Sequence, residues 1–314
     1  MSCRSIAAAL AAGAVLLAVV AGAVLAPHLH AASGGAGKAV APRRPSPAPT
    51  PRHRAPTPLP PVPPVPPRHR DPFGPAAVAL AAGRPGLIVA AVYDVSTGQE
   101  WRLGNSRPQA EASVVKLDIL ETLLARYQAA SATLPASYLP VAQQMMEYSD
   151  NAAATTLWFA TGGPARIQSY NAAVGLQSTS VSQCVDCPGF PWPGWGLTTT
   201  TPEDQIGLLR QLISPGWLLA SSQRRYALRL MENVTPAQRW GVSGGVPPGV
   251  TVALKNGWLP LTSSDDDWQV NSVGWIFGDG RDYLMAVLTT GNVTEQDGIG
   301  LIDDLAVMVW TNMS

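Results

Sequence analysis

A proline-rich segment constrains this chain more than any other feature, because it confines a globular fold to the residues that follow it. Residues 41–75 contain half of the chain's 30 prolines. Proline fixes φ and lacks a backbone N–H, so such a segment stays extended as polyproline II. We therefore expect three parts: a signal peptide or N-terminal membrane anchor in residues 1–32, a disordered, basic, proline-rich linker in 33–75, and one folded domain in 76–314.

The chain begins with a continuous apolar run. Residues 6–26 are 21 consecutive Ala, Gly, Val, Leu or Ile residues, and Arg4 lies just before them. The run is long enough to span a bilayer, and it is equally consistent with the core of a long signal peptide. Both alternatives export the rest of the chain. We expect an extracytoplasmic protein, either secreted or anchored in the cell membrane by an N-terminal helix.

The linker carries charge of one sign only. Residues 1–70 hold eight basic residues and no acidic residue. The simpler interpretation is a spacer between membrane and domain. The alternative is that the basic linker contacts an anionic cell-wall polymer.

The folded domain has the opposite charge and lacks histidine. Residues 71–314 hold 13 basic and 21 acidic residues, a net charge of −8, and no histidine. Binding to nucleic acid depends on neutralising phosphates, so we expect no nucleic-acid partner. The lack of histidine excludes Ser-His-Asp and Cys-His catalysis and, with only three cysteines in the chain, nearly all zinc sites. We therefore expect no metal and no cofactor, and we expect a monomer.

The hydrophobic patterns indicate an α+β fold. Apolar residues recur at helical spacing from Ser113 to about Val174, and Thr201-Pro202 begins a further helix with threonine as its N-cap. The order of elements predicts one five-stranded antiparallel sheet, made by a first hairpin and three late strands and flanked by a mostly helical subdomain. The remaining predicted elements are strands at 86–98, 100–104, 251–259, 268–277 and 283–290, and helices at about 217–233 and 295–311.

Three short motifs carry the candidate chemistry: Ser113-Val114-Val115-Lys116, Ser149-Asp150-Asn151 and Lys255-Asn256-Gly257. Residues three apart on a helix share a face, so the Lys116 amine can approach the Ser113 hydroxyl. A serine hydroxyl needs a base to become a nucleophile, and a buried lysine beside a second cation can act as one. The simpler alternative makes Ser149 an N-cap and Lys255 an exposed strand charge.

Lysine usage favours the catalytic interpretation. The folded domain contains 11 arginines but only two lysines, Lys116 and Lys255, and each lies inside a motif. Arginine stays protonated at neutral pH, whereas lysine can lose its proton. Lysine is therefore found where a removable proton would be useful.

These motifs resemble those of the penicillin-recognising serine enzymes, most closely the class A β-lactamases, whose signature set is S-x-x-K, S-D-N and K-T-G. The resemblance covers about residues 76–314 and implies the β-lactamase/transpeptidase-like fold. It implies the acylated nucleophile at Ser113, its base at Lys116, a proton relay at Ser149 and positive potential from Lys255. It also implies an oxyanion hole made by the backbone N–H groups of Ser113 and Trp258, and substrate contacts from Asn151, Asn256 and Gly257.

The sequence departs from the family pattern in the loop that follows Ser149. Class A enzymes use a glutamate there to activate the hydrolytic water, and the equivalent position in this chain is Val185. Asp186 is adjacent but one residue away, and it is the candidate deacylation base; a turn or cap is the alternative role. Acylation is therefore better supported than fast deacylation.

Two further departures affect the cleft. The middle residue of the strand motif is Asn256, which lacks the hydroxyl that helps to hold a substrate carboxylate, although its amide can still donate. The interval from Ser113 to Ser149 is shorter than usual in class A, which predicts an open cleft suited to a larger or polymeric substrate.

The altered loop also contains two cysteines and two tryptophans. In an oxidising exterior Cys184 and Cys187 are expected to form a small disulfide; free thiols or a redox role are the alternatives. Trp192 and Trp195 are expected to pack the loop down, with a stacking wall for substrate as the alternative.

We therefore expect an exported active-site-serine hydrolase that forms an acyl-enzyme on Ser113 with a β-lactam or a peptidoglycan-type peptide. A D-alanyl-D-alanine carboxypeptidase shares the same acylation step. A wall-tethered receptor that captures penicillin or a muropeptide with slow turnover is a second alternative. A degenerate hydrolase fold that serves as an envelope interaction domain is the third.

Overall fold

The structure is a computed structural model that describes residues 69–188, 192–216, 218–260 and 267–313. The expected signal peptide or anchor and nearly all of the expected linker lie outside the described residues. Within the described ranges, no helix is long and apolar enough to cross a bilayer.

The described residues alternate between a sheet and a large set of helices. The strands are β1 (Ile88–Asp94), β2 (Glu100–Leu103), β3 (Gln109–Ala110), β4 (Thr199–Thr200), β5 (Thr251–Pro260), β6 (Trp268–Gly278) and β7 (Arg281–Asn292). The α-helices are α1 (Gly74–Ala82), α2 (Lys116–Ala129), α3 (Leu139–Glu147), α4 (Asn151–Thr161), α5 (Pro164–Val174), α6 (Pro202–Ile213), α7 (Ser221–Glu232) and α8 (Glu295–Asn312).

The main sheet consists of the five strands that were predicted to form it. Its five strands lie in the order β2-β1-β7-β6-β5, and every neighbouring pair is antiparallel. The first hairpin therefore joins the three late strands, and the α+β prediction is confirmed. Strands β3 and β4 pair with each other in a separate two-stranded sheet. Each strand has two residues, too few for a recognisable hydrophobic pattern.

Both faces of the sheet are buried, because side chains alternate between two cores. On one face, Ala91, Leu284 and Ala286 join a core built mainly from the helical subdomain. On the other face, Ala90 and Met285 join a core with α1 and α8. Helix α8 matches its predicted range closely, whereas α1 was not predicted.

The helix boundaries near the site follow from their caps. Asp150 is the N-cap of α4, and its side chain accepts a hydrogen bond of 2.7 Å from the Ala153 N–H. Thr201 caps α6 as predicted. Capping by Asp150 leaves the Ser149 side chain available for other contacts.

Candidate active site

The turn that carries Ser113 connects β3 to α2. Residues Ala112–Val115 form a 3-10 helix that continues directly into α2 at Lys116. Ala112 has a φ of 52°, a left-handed conformation that is uncommon for a residue with a Cβ. Such strain persists only where the surrounding structure imposes it, and it concentrates at functional sites. Ser113 directly follows this strained residue.

Strand β5 packs against this turn at Gly257. A Cβ atom at position 257 would lie 2.6 Å from the Ser113 nitrogen and 2.7 Å from the Val114 nitrogen. Only glycine allows the strand and the turn to approach so closely. Gly257 therefore brings β5 to the candidate nucleophile, and its expected contact with substrate stays a prediction.

Trp258 is the next residue along β5 after this close contact. Among the described strands, β5 lies at the edge of the main sheet. Alternate N–H groups on the outer side of an edge strand have no strand partner. This placement is compatible with the expected oxyanion hole of the Ser113 and Trp258 backbone N–H groups, which stays a prediction.

The Lys116 amine lies at the centre of the candidate site. The side chain is fully buried, and its Nζ donates hydrogen bonds to Ser113 Oγ at 2.9 Å and to Ser149 Oγ at 3.1 Å. The Ser149 carbonyl at 2.5 Å and Asn151 Oδ1 at 2.8 Å also lie within hydrogen-bond distance, so four oxygen atoms share the three N–H groups of this amine. Burial lowers the pKa of Lys116 to about 7, although the nearby Asp150 carboxylate opposes part of this change.

Ser149 joins the two lysines of the domain. Its φ is 57°, and its hydroxyl accepts hydrogen bonds from the Nζ atoms of Lys116 and Lys255, the latter at 3.0 Å. When both amines donate, both lone pairs of the hydroxyl are occupied and its own hydrogen is free to be donated elsewhere. The structure thus places a proton donor between two amines and next to Ser113.

Lys255 is buried on β5 rather than exposed at a strand edge. Its Nζ donates to Ser149 Oγ and to the Asn256 carbonyl at 2.6 Å. Burial lowers the pKa of Lys255 well below its ordinary value, and the neighbouring Lys116 lowers it further. The interpretation of Lys255 as an exposed strand charge is therefore wrong.

Asn256 is committed to the protein. Its amide nitrogen donates to the carbonyls of Gln238 at 2.7 Å and Trp240 at 3.1 Å, and the side chain is buried. Both N–H groups are thus used to hold the segment that precedes β5. A contact of Asn256 with substrate, which stays a prediction, would have to use Oδ1, which has no protein partner among the described residues.

The loop after α5 contains the two cysteines that were expected to form a disulfide. Cys184 and Cys187 form a disulfide. Asp186 is exposed and lines a cavity of about 440 Å³ together with Phe159 and Trp192. No hydrogen bond links Asp186 to Lys116 in the described part of the chain. The expected role of Asp186 in deacylation therefore stays a prediction.

Trp195 occupies the position next to Lys116 instead. The centroid of the indole ring lies 5.1 Å from Lys116 Nζ, and the residue is 3% exposed. Trp192 stacks on it, with ring centroids 6.1 Å apart. Trp192 also lines an open cavity of about 650 Å³ that reaches Ser149, Asn151 and Thr155. Both expected roles of this pair, packing and a wall, therefore have geometric support.

Three buried carboxyl groups beside α2 were missed. Asp118 accepts a hydrogen bond from Asn171, and Glu121 accepts one from Tyr170, both at 2.8 Å. Burial raises the pKa of Asp118 to about 7 and raises that of Glu111 and Glu121 well above the ordinary value. The sequence contained one indication of these buried carboxyl groups. Asp118 and Glu121 lie three residues apart in α2 among apolar residues, and this spacing places them on the same side of the helix.

No cluster of three or more His, Cys, Asp or Glu side chains suited to hold a metal ion occurs in the described ranges. The chemistry that the assembled groups can perform is proton transfer around a serine hydroxyl: one nucleophile, one buried amine of near-neutral pKa, one relaying hydroxyl and one further cation.

A sequence model of the beta-lactamase enzyme family matches residues 127–313 of this chain. The "Putative lipoprotein LppW" of Mycobacterium tuberculosis and of Mycobacterium bovis is 29% identical over 216 residues, which are 66% of this chain and 64% of those proteins. This chain thus spans slightly less than two thirds of the length of those relatives.

Two solved structures share the fold. PBP-A is 19% identical, with a TM-score of 0.64, 78% of this chain covered and 97% of its own. A class A beta-lactamase from Bacteroides cellulosilyticus is 16% identical, with a TM-score of 0.66, 78% of this chain covered and 99% of its own. At these identities the likeness establishes the fold alone, which is β-lactamase/transpeptidase-like.

Proposed function

This chain belongs to the beta-lactamase enzyme family, and from that premise we propose that it is an exported active-site-serine hydrolase. It forms an acyl-enzyme on Ser113 by opening the amide bond of a β-lactam or of a peptidoglycan-type peptide. The observation that carries the proposal is the 2.9 Å hydrogen bond between Lys116 Nζ and Ser113 Oγ. A buried amine whose pKa is about 7 is half neutral at physiological pH and can therefore take the serine proton.

Acylation proceeds with one bond formed and one broken. The neutral Lys116 amine removes the Ser113 proton while Oγ attacks the carbonyl carbon, which forms the C–O bond. The oxyanion is held by the backbone N–H groups of Ser113 and Trp258, and one such donor lowers a comparable barrier by roughly 3 kcal/mol. When the C–N bond breaks, Ser149 donates its proton to the leaving nitrogen and recovers one from protonated Lys116.

Lys255 acts on the same relay. A positive charge that contacts Ser149 Oγ at 3.0 Å makes this hydroxyl a better proton donor. Asn151 holds Lys116 through Oδ1 and has its amide N–H groups left for a substrate. These contacts support the roles expected for Ser149, Lys255 and Asn151.

A second candidate function is a receptor that captures penicillin or a muropeptide and releases it slowly. Hydrolysis requires a base that delivers water to the ester carbon, breaks the C–O bond to Ser113 and returns a proton to Oγ. Trp195 lies against Lys116, and the carboxylate near this amine, Asp150, is engaged as the N-cap of α4. These contacts favour a long-lived acyl-enzyme over the fast hydrolysis of a β-lactamase. For a D-alanyl-D-alanine carboxypeptidase the lifetime of the acyl-enzyme would lie between the two.

We place the domain outside the cytoplasm. The mycobacterial relatives are named as lipoproteins, and the apolar run at residues 6–26 is of the length that export requires. The proline-rich linker then acts as a spacer between the membrane and the domain.

The test is a time course of intact mass for the full-length chain mixed with penicillin G, beside the matched variant Ser113→Ala. We expect a covalent adduct that is absent in Ser113→Ala. An adduct that persists for hours supports the receptor or penicillin-binding alternative, and a transient adduct with accumulating hydrolysed drug supports a β-lactamase. Labelling that survives in Ser113→Ala contradicts the mechanism. Failure of penicillin, D-Ala-D-Ala peptides and a fluorophosphonate to label Ser113 favours the interaction-domain alternative.

A further inference from the structure

The hydrogen bonds of Lys116 leave one side of the amine to an aromatic ring. Four oxygen atoms lie within hydrogen-bond distance of Nζ and share its three N–H groups: Ser113 Oγ, two atoms of Ser149 and Asn151 Oδ1. The indole of Trp195 approaches the same nitrogen to 5.1 Å. Lys116 is fully buried, so these protein groups surround the amine.

Trp195 is held in this place by contacts on several sides. Its indole N–H donates to Thr155 Oγ1 on α4 at 3.3 Å, and Thr155 in turn donates to the Asn151 carbonyl at 2.9 Å. The backbone of Gly194 donates to the Cys184 carbonyl at 2.9 Å. The ring is thus tied both to the helix of the Ser149 motif and to the disulfide loop.

The close packing of Gly194 strengthens this attachment. A Cβ at position 194 would collide with Cys187 Sγ, so the disulfide fits against the backbone just before Trp195. On its outer side Trp192 stacks on Trp195 with an interplanar angle of 15°. Two indole rings therefore separate the amine from the solvent on the loop side.

We propose that Trp195 is a positioning residue that excludes water from Lys116 and from the ester on Ser113, so that it promotes acylation and slows hydrolysis of the acyl-enzyme. This inference rests on the proposed function for its effect on hydrolysis, but its effect on Lys116 is independent of any substrate. The ring removes the water that would stabilise the protonated amine, and this effect outweighs the attraction of the ammonium to the ring face, since burial is the largest cause of the low pKa of Lys116. The same ring takes the space from which a water molecule would attack the ester.

The low pKa of Lys116 agrees with this arrangement, since burial is its main cause. The charged groups that face Lys116 from neighbouring elements are Lys255 on β5 and Asp150 at the start of α4. Lys255 favours the neutral amine and Asp150 favours the charged one. Both stay unchanged when Trp195 is replaced, so a change in the titration of Lys116 reports the loss of the ring.

The first readout is the titration of Lys116 itself. The chain contains three lysines, Lys38, Lys116 and Lys255, so the full-length protein labelled with 13Cε-lysine gives three signals that Lys→Arg variants assign. In Trp195→Ala we expect the Lys116 midpoint to rise by about one pH unit or more, because water reaches the amine. In Trp195→Phe we expect a midpoint near the native one, because a phenyl ring still excludes water.

The second readout is the lifetime of the penicillin G adduct on Ser113. We expect it to shorten at least about tenfold in Trp195→Ala and little in Trp195→Phe. Trp310→Ala is the matched control, since Trp310 belongs to α8 and packs with the core on the other face of the sheet. It should change neither the titration nor the lifetime. Thermal unfolding of each variant shows whether it has folded.

A Lys116 midpoint in folded Trp195→Ala that equals the native one overturns the proposal, and so does an unchanged adduct lifetime. If Trp195→Ala does not fold, Trp195→Gln replaces the ring with a polar amide of similar reach and must raise the midpoint in the same direction. Absence of any adduct in the native chain would contradict the proposed function instead, and the lysine titration would still decide the role of Trp195.

Discussion

Lys116 and Lys255 are buried amines that share one hydroxyl, Ser149 Oγ. Two protonated amines within reach of one atom repel each other, and burial penalises both charges. One of the two is therefore driven towards the neutral form at a pH where a free lysine stays charged. In the proposed mechanism, a domain with no histidine after residue 70 obtains a base of near-neutral pKa in this way.

The first prediction concerns the base. Lys116→Arg keeps a positive charge but cannot accept the serine proton, so we expect acylation by penicillin G to slow by about 100- to 10,000-fold. In the native chain the acylation rate should rise with pH through a midpoint of about 7, because the neutral amine is the active form. Adduct formation measured by mass between pH 5 and 9 checks both points.

Lys38→Arg is the matched control for this substitution, since it makes the same chemical change outside the folded domain. It should leave the rate and its midpoint unaltered. Acylation of the Lys116→Arg variant at the native rate would assign the base to another group.

At the level of elements, the site depends on how closely β5 approaches the 3-10 turn. Gly257 is the point of contact, and the backbone nitrogens of Ser113 and Val114 lie where a side chain would begin. The edge position of β5 and the strained conformation of Ala112 meet here. The proposed oxyanion hole thus depends on a strand and a turn that are more than 140 residues apart in sequence.

The second prediction follows from this contact. In Gly257→Ala the added methyl group must push β5 and the turn apart, which we expect to cost about 1–3 kcal/mol of unfolding free energy. The acylation rate should fall at least tenfold, because the two N–H donors would move from the position of the oxyanion. Denaturant unfolding and adduct kinetics measure the two effects separately.

Gly300→Ala provides the control. Gly300 lies within α8, and a Cβ there would meet nothing within 4 Å. Alanine in a helix interior should stabilise the domain by about 0.5–1 kcal/mol without an effect on acylation. Equal behaviour of the two variants would show that the contact at Gly257 does not matter.

At the scale of the whole molecule, the buried ionisable groups on the helical side of the sheet lower stability near neutral pH. Glu111, Asp118 and Glu121 have raised pKa values, so the folded state holds protons that the unfolded chain releases above pH about 4.5. The two lysines have lowered pKa values, so above pH about 7 they hold protons in the unfolded chain that they have released in the folded state. A loss of stability caused by buried ionisable groups is common where such groups serve a function.

The third prediction is the pH dependence that results. Where the folded state holds more protons, stability falls as pH rises, by about 1.4 kcal/mol per pH unit and proton. We expect the free energy of unfolding to fall from pH about 4.5 to neutral and the lysines to oppose this fall at higher pH. Urea unfolding at a series of pH values measures the profile.

Glu111→Gln isolates the contribution of the acids. Glutamine imitates the protonated carboxyl group and can donate to Asp118, so the fall in stability towards neutral pH should become shallower. The variant should be more stable than the native chain at pH 8. Parallel profiles of the two proteins would mean that Glu111 does not hold a proton in the folded state.

The sequence by itself determined which chemistry was available and in which order the elements occur. The lack of histidine after residue 70 and the placement of Lys116 and Lys255 in motifs depend only on residue identity. The apolar residues of the late strands and the periodicity of the helices are local properties, so the α+β order and the five-stranded sheet could be predicted.

Only the tertiary structure decided what surrounds the reacting groups. Trp195 lies on Lys116, and both Asn256 N–H groups are used by backbone carbonyls. These contacts join segments that are distant in sequence, and no local pattern encodes them. The physical reason is that burial and proximity set the pKa of an amine and the access of water, and both arise only when the chain is packed.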